Sequence, residues 1–290
     1  MRTYLACIPC LLRQAGDAIA MASDDDGQRI ATMRAVLAMA AQLPMDQPPP
    51  LLAGSIHRLI RESTGVSDPY AQVKARATTM ALSLADQARA QVEAFTDPFE
   101  AAVRLAIAGN VLDFGAFTRL DEHDIERAIA GALSQALDAT ELRGLRQAAG
   151  KARAILYLAD NAGETVFDRL LIERLPAGAV TYAVKSGPII NDATAAEALA
   201  AGIRDVARIV ETGSDMPGTM LEHCSPVFRA LFETADLVIA KGQANYESLR
   251  DAPREVFFLT QVKCATIARD MQAAVGQWIV RRGADSTGRS

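Results

Sequence analysis

Lysine is scarce in this 290-residue chain: only Lys74, Lys151, Lys185, Lys241 and Lys263 are lysine among 30 basic residues, and the rest are arginine. Where generic surface cations are arginine, each remaining lysine becomes a candidate for binding phosphate as a compact point charge, which a planar guanidinium does not reproduce. Cysteine is equally sparse. Cys7, Cys10, Cys224 and Cys264 are too few for a disulfide framework and read as thiols or ligands. No uncharged apolar run approaches ~18 residues, which excludes a transmembrane helix. The apolar stretch in MRTYLACIPCLLRQAG is too short for a secretory signal, so the expected location is the cytoplasm. Nor is there an excess of positive charge. The net charge of −5 argues against nucleic-acid and membrane-surface partners. What the chain does have is apolar content, with 50% hydrophobic residues, enough to bury a sizeable core.

Residues 1–150 read as helical throughout. Apolar positions recur at helical spacing (Ile30, Met33, Val36, Leu37, Ala40), with breaks at Pro44 to Pro50, Thr64 to Pro69 and Phe95 to Pro98. The triple proline at 48–50 reads as an extended connector. From 151 the pattern changes. Short β-rich runs at Ile155–Leu158, Ala179–Val184, Ala207–Val210, Leu237–Ala240 and Val256–Leu259 alternate with helical stretches at Thr165–Leu175, Thr194–Ala201 and Val227–Thr234. That alternation predicts an α/β fold with a parallel, Rossmann-like sheet covered by helices on both faces. The α/β part spans 151–280, and 281–290 is expected to be a disordered tail.

Parallel strands place their C-terminal ends on one edge, where ligands bind in such sheets. The first predicted strand delivers Asp160 and Asn161 there, two hard oxygen ligands suited to a divalent cation. The second leads to Lys185, Asn191 and Asp192. The third leads to the Thr212–Gly218 loop, which could close over a substrate or serve only as a connection. The fourth delivers Lys241, Gln243, Asn245 and Tyr246, and the fifth Lys263. Three of the five lysines thus converge on one edge beside two aspartate-bearing turns, a combination suited to a phosphate ester.

Each residue also has a plainer reading. Asp192 precedes a predicted helix and could be only its cap. Glu164 reads as an early helix residue favoured by the helix dipole. Asn110 and Asp113, in an apolar helical run, either cap or face the site. Asp68 with Lys74 reads as a helix start, and His57 and His123 as surface helix residues. Cys7-Ile8-Pro9-Cys10 has the spacing of a metal half-site or a redox pair, but no second such pair completes a zinc site; His223-Cys224 lies far along the chain.

Six motifs in order, CIPC at 7–10, DPYAQVK at 68–74, GNVLDF at 109–114, DNAGE at 160–164, KSGPIINDAT at 185–194 and KGQANYE at 241–247, resemble those of the metal-dependent damage-control phosphatases. That family is also called the acidic-residue methyltransferase-like domain and was formerly a domain of unknown function; the N-terminal CxxC is similar to its prokaryotic subfamily. Each motif is weak alone, and six in sequence over nearly the whole chain are specific. The resemblance implies a helical N-terminal region packing over the site of a three-layer α/β/α domain. It implies a divalent metal (Mn²⁺, Ni²⁺, Co²⁺ or Mg²⁺) on Asp160, Asn161 and Asp192, which favours the ligand reading of Asp192. It also implies phosphate contacts from Lys241, Gln243, Asn245, Tyr246 and Lys263. Two positions depart from the pattern: Ala244 stands where a second glycine is expected, and TQVK lacks the arginine of the RTxK form.

The expected activity is hydrolysis of small phosphometabolites, with Asp160, Asp192, Lys241 and Lys263 catalytic and with Asn110 and Asp113 among the substrate contacts. The rivals are an S-adenosylmethionine-dependent carboxyl methyltransferase and a non-catalytic metal-binding partner protein. The absence of a glycine-rich loop after the first strand weighs against the methyltransferase.

Overall fold

The structure is a computed structural model, which describes residues 1–109 and 129–283. Asn110, Asp113 and His123 therefore lie outside the described residues. Six strands form one sheet: β1 (Ile155–Leu158), β2 (Val180–Val184), β3 (Arg208–Glu211), β4 (Leu237–Lys241), β5 (Phe257–Gln261) and β6 (Trp278–Arg282). Their order is β3-β2-β1-β4-β5-β6. All neighbours are parallel except β5 and β6, which pair antiparallel from Phe257 opposite Arg282 to Gln261 opposite Trp278. Five strands lie where the alternation predicts them, and β6 is an addition. It carries the sheet through Arg281 and Arg282, into the stretch expected to be a tail.

Alternation along each strand builds two cores. Ile155, Tyr157, Tyr182, Ile239, Phe257 and Leu259 face one side. There they meet α4 (Ala71–Ala94), α5 (Pro98–Ala108), α6 (Ala139–Lys151), α7 (Glu164–Ile172) and α8 (Ala195–Ala200). Leu156, Leu158, Val238, Ala240 and Phe258 face the other side, against α9 (Pro226–Thr234), α10 (Gly242–Leu249) and α11 (Ala265–Met271). The result is the three-layer α/β/α arrangement. Packing does not divide at residue 150, however. Three helices of the N-terminal stretch, α4, α5 and α6, are part of a layer on the sheet, sharing one core with it.

A third apolar cluster joins α1 (Cys7–Ala22), α2 (Asp26–Ala40) and α3 (Pro49–Thr64). Helix α3 begins at the prolines expected to form an extended connector. Proline is tolerated in a first helical turn, because its missing N–H has no intrahelical partner there. The helix ends at Gly65, whose φ of 73° is left-handed. This small bundle supplies the upper wall of the cleft described next.

Candidate metal and phosphate site

Strand order reverses between β1 and β4, and a crevice opens beyond their carboxyl ends at this switch point. It is a cleft of ≈ 1000 Å³. Asp160, Asn161 and Asp192 lie on its floor, Gln243, Ala244, Glu247 and Lys263 on one side, and residues of α1, α3 and α4 above. The β1–α7 and β2–α8 turns are knitted together by backbone bonds. Ala193 N donates to Asp160 O at 2.8 Å, Ala162 N donates to Asn191 O at 2.9 Å, and Asn161 pairs with Asp192 as an isolated bridge. Between them Ile190 adopts φ 46°. A β-branched residue in the left-handed region is strained, and such strain concentrates at functional sites. Gly242 stands beside Asp160 with φ 78°; a Cβ there would overlap the Asp160 carboxylate, so glycine is required.

Three hard oxygen donors meet on this floor. Both Asp160 and Asp192 are buried. Asp192 Oδ2 has no hydrogen-bond donor, its nearest cation being Lys185 Nζ at 3.6 Å. Burial lifts the Asp192 carboxyl to about 7; Lys185 opposes the shift and the nearby Asp160 adds to it. Asn161 Nδ2 donates to Glu164 Oε1 at 2.6 Å and to Asp160 Oδ2 at 3.2 Å, so its carbonyl oxygen is the acceptor left for the cleft. An acceptor-only set with a buried carboxylate oxygen lacking a donor fits a hard divalent cation. Among the described residues no three or more His, Cys, Asp and Glu side chains cluster as a metal site. Asp160, Asn161 and Asp192 therefore depend on the Asn161 amide for a third donor. Cys7 and Cys10 gain no further pair of ligands, from His223-Cys224 or elsewhere among these residues.

The structure separates the remaining predicted residues. Lys263 is exposed at the cleft wall, its backbone N held by Gln243 Oε1 at 3.2 Å. Lys241 is not available to a ligand: it is fully buried, with Nζ 2.6 Å from Asp168 Oδ1 and 2.9 Å from Glu164 Oε2. Its ammonium is already neutralised by carboxylates, so its expected phosphate contact is corrected to a positioning role. Asn245 is likewise withdrawn. Its Nδ2 donates to Ala159 O and Lys241 O, and its Oδ1 accepts from Thr219 Oγ1 at 2.7 Å. Tyr246 is buried against Phe258, with its hydroxyl donating to Asp270 at 2.6 Å. The Thr212–Gly218 loop is an anchored wall: Asp215 is clamped by Arg58 and Arg61 of α3, and Met216 is buried against Gly54. His57, expected on the surface, is 3% exposed and lies against Tyr70.

Beneath the floor lie carboxylates to which the sequence assigns no site role, Glu164 being read there only as an early helix residue. Glu164 and Asp168, four apart on α7, are both fully buried. Tyr157 and Tyr182 donate to the two oxygens of Asp168 at 2.7 and 2.8 Å. A chain of bonds thus runs from the sheet core through Asp168, Lys241 and Glu164 to the Asn161 amide. Burial pushes Glu164 above the usual carboxylate range and the Lys241 ammonium opposes it. Because both Glu164 oxygens accept hydrogen bonds, the carboxylate is the form this geometry holds. The available signal was two carboxylates four residues apart in a helix whose remaining residues are apolar except Thr165 and Arg169. Glu247, in the cleft wall, is raised to about 7 by burial, against the hydrogen bond that Gln243 gives it at 2.9 Å.

The damage-control phosphatase ARMT1-like domain family matches residues 3–279. A damage-control phosphatase of Pyrococcus horikoshii is 32% identical over 287 residues, 97% of this chain and 98% of its own length. A damage-control phosphatase of Archaeoglobus fulgidus is 35% identical over 236 residues, 79% of this chain and 81% of its own length. The crystal structure of a DUF89 family protein from Pyrococcus horikoshii superposes with a TM-score of 0.90 at 31% identity, covering 98% of this chain and 100% of that one. These names support a phosphatase role in metabolite repair.

Proposed function

Because the chain belongs to the damage-control phosphatase ARMT1-like family, we propose that it is a divalent-metal-dependent phosphatase acting on small phosphorylated metabolites in the cleft beyond β1 and β4. The observation that carries this reading is the Asp192 carboxylate oxygen, buried without a donor beside Asp160 and the Asn161 amide. Asp160, Asn161 and Asp192 would hold the cation, with Mn²⁺, Co²⁺, Ni²⁺ and Mg²⁺ the candidates. When bound, it supplies Lewis-acid polarisation of a phosphoryl oxygen.

The chain's own residues do the rest. Lys263, exposed at the cleft wall, offsets negative charge on the phosphoryl group. Lys185, bonded to Gly218 O and facing Asp192, holds that carboxylate in place and balances its charge. The Lys241–Glu164 pair orients the Asn161 amide. The helices above the floor limit the entry of water and leave room for a small organic group. The test is hydrolysis of p-nitrophenyl phosphate by protein stripped with chelator and then supplied with each metal in turn. Restored turnover that disappears in Asp160→Ala is the expected result; turnover that ignores chelator, or survives in Asp160→Ala, overturns the reading.

A further inference from the structure

Three of the four cysteines, Cys7, Cys10 and Cys264, line the same cleft although Cys264 is remote in sequence. All are free thiols, and the metal and phosphate chemistry above uses none of them. Cys7 and Cys10 form the first turn of α1. Helix geometry places Cα atoms three residues apart at about 5 Å, inside the roughly 4.4–6.8 Å window for a disulfide. Cys10 is exposed and Cys7 half-buried. Arg13 Nη2 lies 3.8 Å from Cys10 Sγ as a donor. An exposed sulfur beside a guanidinium, in the first turn of a helix, has the surroundings of a reactive thiol. Burial pushes the thiol of the half-buried Cys7 up. The pair lines the same cleft as Gln243, Lys263 and Cys264, and there Gln243 approaches Cys264 Sγ at 4.0 Å and holds the Lys263 backbone.

We propose that Cys10 and Cys7 form a hydroperoxide-reactive thiol site in this wall, with Cys10 the attacking sulfur and Cys7 its resolving partner. The Cys10 thiolate attacks a peroxide oxygen; the S–O bond forms and the O–O bond breaks. A sulfenic acid results, and the departing oxygen leaves as water or, from an organic hydroperoxide, as an alcohol after taking up a proton. Cys7 sulfur then attacks Cys10 sulfur, the S–S bond forms, the S–O bond breaks, and water leaves with the Cys7 proton. Two thiols lose two electrons in all, and one peroxide is reduced.

The test uses the reduced full-length chain, treated with hydrogen peroxide below one equivalent and mapped by peptide mass spectrometry. A Cys7–Cys10 link reversed by reductant is expected. In Cys7→Ser the sulfenic acid has no partner, and dimedone should label Cys10 about tenfold more than the buried Cys224 or the half-buried Cys264. A Cys7–Cys264 link, equal labelling of all sulfurs, or no loss of thiol in the unmodified chain overturns the proposal. The mapping of the unmodified chain stands even if Cys7→Ser fails to fold. No result depends on phosphatase activity.

Discussion

Replacing Lys241 by methionine separates two roles for this residue. Its ammonium contacts Asp168 at 2.6 Å and Glu164 at 2.9 Å, and all three side chains are fully buried. Methionine fills similar volume but leaves two carboxylates facing each other without a cation. Removing one partner of a buried ion pair costs about 3–5 kcal/mol, a large share of the ~5–15 kcal/mol that separates folded from unfolded chains. Unfolding in urea, followed through the fluorescence of Trp278 on β6, measures the loss. A second substitution, Glu164→Gln, removes one stranded charge and should restore about 1–3 kcal/mol, a coupling typical of residues in direct contact. The Asn161 amide loses its fixed orientation in the single variant, so divalent-metal affinity should fall about 10- to 100-fold, as it does when partners of metal ligands are removed. A Lys241→Met protein with wild-type urea stability and metal affinity, but with a raised KM for phosphate esters, would refute the positioning role and return Lys241 to the substrate.

Asp192→Asn keeps shape but loses charge, and it should weaken metal binding by at least about tenfold in calorimetry with the fold retained by circular dichroism. Gly242→Ala must either displace the Asp160 carboxylate or abandon the left-handed backbone; turnover should drop about 100-fold, the scale of a ~1 Å misplacement, with about 1–2 kcal/mol of stability lost. His57 has its pKa lowered to about 4 by burial, with Arg61 adding to the shift, against about 6.5 unfolded. Between these values the unfolded chain binds the extra proton. Stability therefore falls as pH drops through 6.5 toward 4, by about 2 kcal/mol at pH 5 from this group. His57→Met should flatten the difference between urea curves at pH 7.5 and pH 5, and an unchanged slope would count against it.

Much of the fold was readable because it rests on local pattern. Ile155–Leu158 is a buried run of strand length, and the turn after it carries Asp160 and Asn161 where any parallel sheet presents its ligands. Asp192 needed more, since its place beside Asn161 comes from backbone bonds between two turns some thirty positions apart. Strand β6 was obscured by composition: Trp278, Ile279 and Val280 run directly into Arg281 and Arg282, which look like a polar tail. Those arginines remain in the ladder, with Arg282 lying over the Phe257 ring and ion-paired with Glu255. The membership of α4, α5 and α6 in a sheet layer was hidden for another reason. A helix's sequence says how wide its apolar face is, but not which partner covers it.

Lysine scarcity was informative for a different reason from the one first inferred. Lys74, Lys185 and Lys241 are 3%, 3% and 0% exposed, and each ammonium is already engaged: Lys74 bridges the partly buried Asp68 and Glu197, Lys185 faces Asp192 and Gly218 O, and Lys241 joins Glu164 to Asp168. A compact ammonium with three donors around one nitrogen can meet acceptors from diverging directions inside a packed interior. A guanidinium needs a larger, planar space. Compactness thus suits lysine to buried junctions as well as to the phosphate contact proposed for Lys263, and residue type alone does not tell the two apart. For Lys241 and Lys263, position along the strand does. Lys241 is the last residue of β4, inside the sheet, so its side chain projects into a core layer, whereas Lys263 lies two residues beyond the end of β5, where the chain has left the sheet and the ammonium reaches the cleft.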